Sequence, residues 1–394
     1  MVRRLLHTPE GVRDIYNEEC EKKLLLQDEL YAVLKQYGYH PIQTPAFEFF
    51  DIFGKEIGTT SSRELYKFFD REGNTLVLRP DMTPSIARSA AKYFGEEDLP
   101  IRLCYMGNTF INNSSYQGRL KESTQLGAEL IGDSAVDADA EILSLVVASL
   151  KTAGLRDFQL SVGHAEFFGG LMEAAGLPEE KEEELRSLIS NKNFFGVEEF
   201  IDTLALEADL RQLFSMLGSL YTGTDDLKAA KELSAKYPKI LHAIENLEEL
   251  HGLLKAYEIE KYISFELGML SNYQYYTGII FAGYTFGSGE PIVKGGRYDK
   301  LLTHFGKDSA SIGFAIVVDQ LMAALARQKI EIPIEYHTEL IVYQSTKRTE
   351  AIATAQEIRQ KGGCVELMAQ ENGKTRADYD AYAKRNHIVR ITFM

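Results

Sequence analysis

Residues 125–131 read Gln-Leu-Gly-Ala-Glu-Leu-Ile, and this stretch is central to the fold. Residues 126–131 have the character of a strand. Because side chains alternate between the two faces of a strand, Gln125, Gly127 and Glu129 are predicted to share one face. Gly127 leaves space between the two polar side chains, as a small ligand would require. The pattern fits a ligand-binding floor, and it fits an exposed sheet face equally well.

Segments with helix and strand character surround this stretch. Apolar residues between 18 and 37 follow a helical stripe that Gly38 ends, and the proline-limited segment 39–45 is typical of an edge strand. Runs of strands with helices between them, rather than a strict alternation, favour an α+β fold on an antiparallel sheet. The other elements predicted in this half are strands at 75–78, 101–106 and 158–162 and a helix from Asp137 to Ala153.

The second half of the chain begins with helical periodicity and charged outer faces, which indicates a helical insertion into the core. Strand character then returns, and a helix is predicted from Gly313 onward. After Pro333 a compact tail combines strands and a helix, near the lower size limit for independent folding. The predicted domains are a core at 1–169, a helical insertion at 170–262, the second part of the core at 263–330 and a small C-terminal α/β module at 334–394.

The composition is that of a globular protein, since 45% of the 394 residues are apolar and 26% are charged. No run approaches the ~18 apolar residues of a membrane span and the N-terminus turns polar early, so we expect a cytoplasmic protein without a membrane partner. The 43 basic and 58 acidic side chains give a net charge of −15, which argues against nucleic acid. Three separated cysteines and no phosphate-binding loop suggest neither metal nor cofactor.

Further clusters carry polar groups suited to a small ligand. Asp81 and Thr83 follow a predicted strand and could receive an ammonium group, although, taken alone, they are better explained by a capped turn before the next helix. The paired Tyr275 and Tyr276 could present one hydroxyl to a pocket. The adjacent glycines at 295–296 allow a ligand to approach the backbone closely, and a bulge is the alternative.

Taken in order, these clusters resemble the catalytic core of histidyl-tRNA synthetase, a class II aminoacyl-tRNA synthetase, over residues 5–325. The resemblance implies a synthetase-like antiparallel sheet with a helical insertion, and a homodimer formed through the motif near residues 37–48. The matching segments are residues 8–14, 39–48, 66–73, 78–83, 125–129, 275–277, 295–299 and 313–316.

The arginines with which that family binds ATP and the substrate carboxylate are absent from the matching positions. The phosphate-binding arginine aligns with Ile111 and its acidic neighbour with Asn113. The carboxylate-binding arginine aligns with Ser271, and the last of the three arginines aligns with Gln320. Val317 replaces a glycine that leaves room in the site of the synthetases. Losing one preorganised donor typically slows a reaction ~10²–10³-fold, so the resemblance implies a site that does not activate histidine with ATP.

The amino-acid side of the pocket keeps its polar residues. By resemblance, an acid, a hydroxyl and an amide would hold the ammonium group of histidine, and a second acid with a tyrosine would hold the imidazole. The ligand carboxylate needs a donor in place of the missing arginine, for which Arg119 and Arg297 are candidates. The histidine-binding residues are Asp81, Thr83 and Gln125 for the ammonium group, Glu129 and Tyr276 for the imidazole, and Tyr275 beside them.

A synthetase-like core with these losses and a reduced tail resembles the regulatory subunits of ATP phosphoribosyltransferase. The resemblance implies a non-catalytic protein that assembles with a short catalytic subunit, is required for the first step of histidine biosynthesis and transmits feedback inhibition by histidine. We expect homodimers within a hetero-oligomer. A tail of ~60 residues is shorter than the synthetase's anticodon-binding domain, so no tRNA partner is expected. The alternative is an active histidyl-tRNA synthetase or another amino-acid-adenylating paralogue.

Overall fold

The structure is a computed structural model that describes residues 6–54, 60–113, 120–218, 220–221, 224–270 and 275–394. The chain divides into two units, residues 1–331 and 332–394. The first unit holds the sheet predicted for the core together with the helices predicted as an insertion. The boundary between the units lies next to Pro333, after which the sequence predicts a separate module.

Two sheets lie in the described part of the first unit. Its strands are β1 (His40–Pro41), β2 (Phe47–Phe49), β3 (Lys67–Phe69), β4 (Thr75–Leu78), β5 (Ile101–Phe110), β6 (Glu122–Ile131), β7 (Phe158–His164), β8 (Leu220–Tyr221), β9 (Ile263–Glu266), β10 (Ile279–Thr285), β11 (Val293–Arg297) and β12 (Ser311–Val317). The large sheet has the order β1-β5-β6-β12-β11-β10-β7-β9-β8, and the small one has the order β2-β4-β3. Antiparallel pairing dominates the large sheet, in which β1 with β5 and β7 with β9 form the parallel pairs.

Helices pack against the large sheet and extend from it. Helices α1 and α3 contact β6 and β12 respectively, and α4 packs on α9. No helix in the described ranges is both long enough and apolar enough to cross a lipid bilayer. The helices are α1 (Asn17–Gln36), α2 (Thr83–Tyr93), α3 (Val136–Thr152), α4 (Ala165–Ala175), α5 (Glu179–Ser190), α6 (Phe194–Asp202), α7 (Ala208–Ser215), α8 (Thr224–Leu233), α9 (Pro238–Ala256) and α10 (Val318–Arg327).

Strand β6 shows how the sequence divides the sheet into two faces. Leu126, Ala128 and Leu130 are fully buried on the face covered by helices. Burying a leucine side chain contributes roughly 1.5–3 kcal/mol, so this face anchors the strand. Gln125 and Glu129 then point to the opposite face, as the alternation predicts.

The segment from Gly313 onward is a strand, so the helix predicted there is wrong. Ile312, Phe314 and Ile316 are buried on β12 and alternate with Gly313 and Ala315. This period of two is that of a strand, and the helix α10 begins only at its end. The small residues obscured the alternation because they carry little hydrophobic signal.

The second unit is a three-stranded parallel sheet with two helices. Its elements are β13 (Thr338–Tyr343), α11 (Arg348–Gln360), β14 (Cys364–Ala369), α12 (Arg376–Arg385) and β15 (Arg390–Phe393). The strand order is β14-β13-β15, which places the first strand in the centre. Helix α12 was not predicted from the sequence, because Tyr379 and Ala383 are its only buried residues among polar neighbours.

Candidate functional site

A cavity of about 1410 Å³ lies on the face of the large sheet opposite α1 and α3. Its described wall combines strand residues with the start of α2 and the segment after residue 274. Five of the six predicted histidine-binding residues line it: Asp81, Thr83, Gln125, Tyr275 and Tyr276. The sixth, Glu129, is fully buried and bonded to Thr83. The structure therefore brings the predicted side chains together from separate segments of the chain.

Two hydroxyl groups hold the carboxylate of Glu129 behind the cavity wall. Thr83 donates to Oε1 at 2.8 Å, and Tyr298 donates its phenolic hydrogen to Oε2. Burial raises the pKa of Glu129 to about 8, and the two hydrogen bonds oppose this rise only in part. Glu129 therefore releases its proton at a higher pH than an exposed glutamate does.

Asp81 occupies the turn that leads from β4 into α2. Its Oδ1 accepts a hydrogen bond of 2.7 Å from the backbone N–H of Met82, so the carboxylate is held just before the helix and also lines the cavity. Burial raises the pKa of Asp81 to about 6, while backbone donors and the charge of Lys294 lower it. The buried Arg79 donates to backbone carbonyl oxygens of neighbouring segments at 2.8 Å, which fixes the approach to this turn.

Gln125 contributes a buried acceptor to the cavity. Its side-chain Oε1 receives no hydrogen bond from any residue that the structure describes. Leaving a buried polar atom without a partner costs about 1–3 kcal/mol, so such atoms commonly mark a place that a ligand or water fills. A ligand with hydrogen-bond donors would satisfy this oxygen.

Glycines make the space that this polar network occupies. Gly313 lies beside Glu129 in the sheet, and a Cβ there would overlap the glutamate's carboxylate. At Gly127 a Cβ would overlap the carbonyl oxygen of Phe314, and the hydroxyl of Tyr105 lies next to it. The space predicted beside Gly127 is thus filled by protein atoms, because Tyr105 donates to that carbonyl at 3.2 Å.

Three tyrosine rings lie together at the cavity. Tyr275 packs edge-on against Tyr276, with ring centroids 4.7 Å apart, and against Tyr298 at 5.9 Å. Tyr298 is a site residue that sequence reasoning missed, although it holds Glu129 and lines the cavity. It follows Gly296 by two residues, so the alternation of β11 was the signal that could have found it.

The expectation that Arg297 binds the ligand carboxylate is corrected by the structure. Arg297 is buried on the helix-covered face, where its Nε donates to Asp139 of α3 at 2.8 Å. Its remaining N–H groups are directed to Asp299 and to the carbonyl oxygens of Asp133 and Ala135. Strand alternation explains this, since successive residues of β11 point to opposite faces. No donor of this guanidinium remains for a ligand.

Lys294 is the strand cation that does line the cavity, and sequence reasoning did not select it. It lies two residues before Gly296 on β11, so it shares the face turned toward the cavity. Arg119, the other predicted carboxylate contact, lies outside the described residues, as does Ser271.

Uncharged side chains occupy the positions that align with ATP-binding arginines. Ile111 and Gln320 both line the cavity, together with Asn113 and Val317. Neither an isoleucine nor a glutamine supplies the positive charge that phosphate groups require. Within the described ranges, no three His, Cys, Asp or Glu side chains lie close enough together to hold a metal ion.

Comparisons with known proteins agree with this geometry. The histidyl-tRNA synthetase family matches residues 11–321 of the chain. A relative from Acetivibrio thermocellus, named ATP phosphoribosyltransferase regulatory subunit, is 39% identical over 92% of this chain and 86% of its own length. The chain belongs to the ATP phosphoribosyltransferase regulatory subunit family. This membership confirms the prediction of a regulatory subunit rather than an enzyme in its own right.

Other members of the regulatory subunit family extend the match. A relative of the same name from Ruminiclostridium cellulolyticum is 37% identical over 98% of this chain and 92% of its own length. A crystal structure of an ATP phosphoribosyltransferase regulatory subunit/histidyl-tRNA synthetase from Bacillus halodurans has a TM-score of 0.85 and 30% identity, covering 99% of this chain and 98% of that one. The likeness confirms the synthetase-like α+β fold.

Proposed function

We propose that this chain binds free L-histidine in the cavity and transmits feedback inhibition to a separate, short-form catalytic subunit of ATP phosphoribosyltransferase. One observation carries the proposal. The same cavity keeps buried polar groups at Asp81 and Gln125, and it has uncharged Ile111 and Gln320 where the phosphates of a nucleotide would need cations.

The ammonium group of the ligand is assigned to Asp81, Thr83 and Gln125. An ammonium group has three donors and no acceptor, so it needs three converging oxygens. The carboxylate of Asp81, the hydroxyl oxygen of Thr83 and the unpartnered Oε1 of Gln125 are such oxygens in one cavity. Charge-assisted hydrogen bonds are about twice as strong as neutral ones, so Asp81 contributes most.

The imidazole is assigned to Glu129 and Tyr276, with Tyr275 beside them. A neutral imidazole has one donor and one acceptor nitrogen, which a carboxyl group and a phenol can match. Thr83 and Tyr298 hold the buried Glu129 in place, so recognition is preorganised. A site that bonds both nitrogens rejects ligands that lack them, often by about 10⁴-fold.

Regulation then follows from linkage between two binding events. Histidine inhibits the catalytic chain if it binds the less active state of the complex more tightly, and such couplings are typically about 1–3 kcal/mol. The role would place the chain at the first step of histidine biosynthesis in the cytoplasm. We expect no tRNA partner, because the chain carries a net charge of −15.

We propose a homodimer as the building block, formed through the segment near residues 37–48 and the adjoining small sheet. Phe47 is 51% exposed, Phe49 56% and Phe68 37%. Pairing of β2 and β3 with β4 puts these rings on one face, and Phe47 contacts Phe68 with ring centroids 5.7 Å apart. Clustered exposed aromatic rings of this kind mark an interaction surface. A second copy of the chain would cover them.

Two measurements test this function. Calorimetric titration of the purified chain with L-histidine should show one site per chain, and the absence of heat would contradict the proposed effector. Phosphoribosyl transfer by the short catalytic chain should be slow alone and increase when this chain is added. Equal rates with and without it would refute the requirement.

A further inference from the structure

The floor of the cavity carries a cation, Lys294 of β11. Lys294 lines the cavity, its side chain is exposed, and its charge acts on the carboxylate of Asp81. A flexible, exposed lysine on the wall of a polar cavity can reach an anionic group of a ligand.

The residues directly beside Lys294 on the adjoining strands are small. They are Ala315 and Ala282. Gly296 follows on the same face of β11, and the ring of Tyr276 lies over it. A long side chain on a floor of small residues can reach a ligand that lies over the sheet.

The other cations of the described wall are less suited to this role. Lys192 lies 3.7 Å from Glu266, which neutralises part of its charge. Arg63 lies in the short helical segment 62–64, whereas Lys294 acts on the charge of Asp81. Arg297 directs its donors to the opposite face of the sheet. Lys294 is therefore the cation that the strand geometry aims at the ligand.

We propose that Lys294 binds the carboxylate of the amino-acid effector. The inference rests on the proposed function and adds the residue that selects a free amino acid over its decarboxylated or reduced analogues. An α-amino acid carries its ammonium and carboxylate groups on the same carbon, so its site needs an anion and a cation close together. Asp81 is that anion, and the charge of Lys294 acts on it across the cavity.

Calorimetry on the full chain with two ligands tests the assignment. L-histidine carries the carboxylate, whereas L-histidinol has a hydroxymethyl group in its place. We expect Lys294→Met to weaken L-histidine binding about tenfold to a hundredfold and L-histidinol binding by less than about threefold. Lys294→Arg should retain most of the affinity for L-histidine, because it keeps the charge. Lys300→Met removes the charge of an exposed lysine outside the cavity wall and should change neither affinity.

The possible results separate this inference from the proposed function. If the unmodified chain binds both ligands and Lys294→Met weakens both equally or neither, the carboxylate assignment is wrong while the histidine site remains. If the unmodified chain binds neither ligand, the proposed function itself is wrong, and the assignment is lost with it. Unchanged thermal unfolding of Lys294→Met would show that the variant folds.

Discussion

Gly313 lies directly opposite Glu129 on the neighbouring strand, and the carboxylate of Glu129 occupies the volume that a side chain at position 313 would need. The glutamate can be buried and bonded to Thr83 only because this position has no Cβ. The polar end of the cavity thus depends on a glycine that touches no ligand.

The Gly313→Ala variant should therefore lose histidine binding by more than about tenfold, because the added methyl group displaces the Glu129 carboxylate. Gly252→Ala is the matched control, since a Cβ there meets open space in α9. Titration calorimetry of both variants measures the effect. Equal affinities would show that Glu129 need not hold its observed position.

The pH dependence of stability should carry the signature of Glu129. Its pKa is about 8 in the folded protein and about 4.5 when exposed, so the unfolded chain releases this proton first as the pH rises. The free energy of unfolding therefore decreases as the pH rises from about 4.5 to about 8. Glu129→Gln removes the titration and should reduce the fall by on the order of 1 kcal/mol per pH unit. Urea unfolding of the unmodified chain and of Glu129→Gln at several pH values measures how steeply each free energy of unfolding falls with pH. Equal slopes would contradict the raised pKa.

Charge removal at Asp81 should weaken histidine binding. Asp81→Asn deletes the anion assigned to the ligand's ammonium group, and we expect a loss of about tenfold to a hundredfold in affinity. Asp308→Asn removes an exposed carboxylate outside the cavity wall and serves as the control. Unchanged affinity in Asp81→Asn, measured by calorimetry, would move the ammonium contact elsewhere.

Adenylation of histidine should be absent. Ile111 and Gln320 leave the phosphate end of the cavity without the arginines of the synthetases, so no histidine-dependent exchange of pyrophosphate into ATP is expected. An active histidyl-tRNA synthetase assayed in parallel provides the control. Robust exchange by this chain would favour the alternative of an adenylating paralogue.

The exposed aromatic face of the small sheet should control self-association. Phe49→Asp places a charge among Phe47, Phe68 and their counterparts in a second copy, so we expect monomers in sedimentation analysis. Phe195→Asp changes a ring of similar exposure on α6 and should leave the dimer intact. A dimer that persists in Phe49→Asp would assign the interface to another surface.

Period-two alternation predicted the face of the sheet on which a side chain lies wherever it was followed through. It placed Gln125 and Glu129 on one face of β6, and the structure has them there. Applied to β11, the same rule places Lys294 and Arg297 on opposite faces of the strand. The adjacent glycines between them carry no hydrophobic signal, so the sequence does not show which face is turned toward the cavity. Arg297 was therefore assigned to the cavity although it faces α3.

Long-range contacts account for what sequence reasoning missed. Alternation along β11 puts Tyr298 on the same face as Gly296, but its contact with Glu129 depends on the order of the sheet, in which β12 lies between β11 and β6. The hydroxyl of Tyr105 fills the space beside Gly127 because these two residues are direct partners on β5 and β6. Strands β6 and β12 are neighbours in the sheet although they come from distant parts of the chain, so their register decides which side chains meet there.

The central claim is that histidine in this cavity controls a separate catalytic chain. Its most direct test is the rate of phosphoribosyl transfer by the assembled complex at increasing L-histidine, with the unmodified chain and with Glu129→Ala. We predict strong inhibition of the complex that contains the unmodified chain. The complex with Glu129→Ala should need an L-histidine concentration at least about tenfold higher for half-inhibition. Identical inhibition curves would contradict the claim and place the effector site outside this cavity.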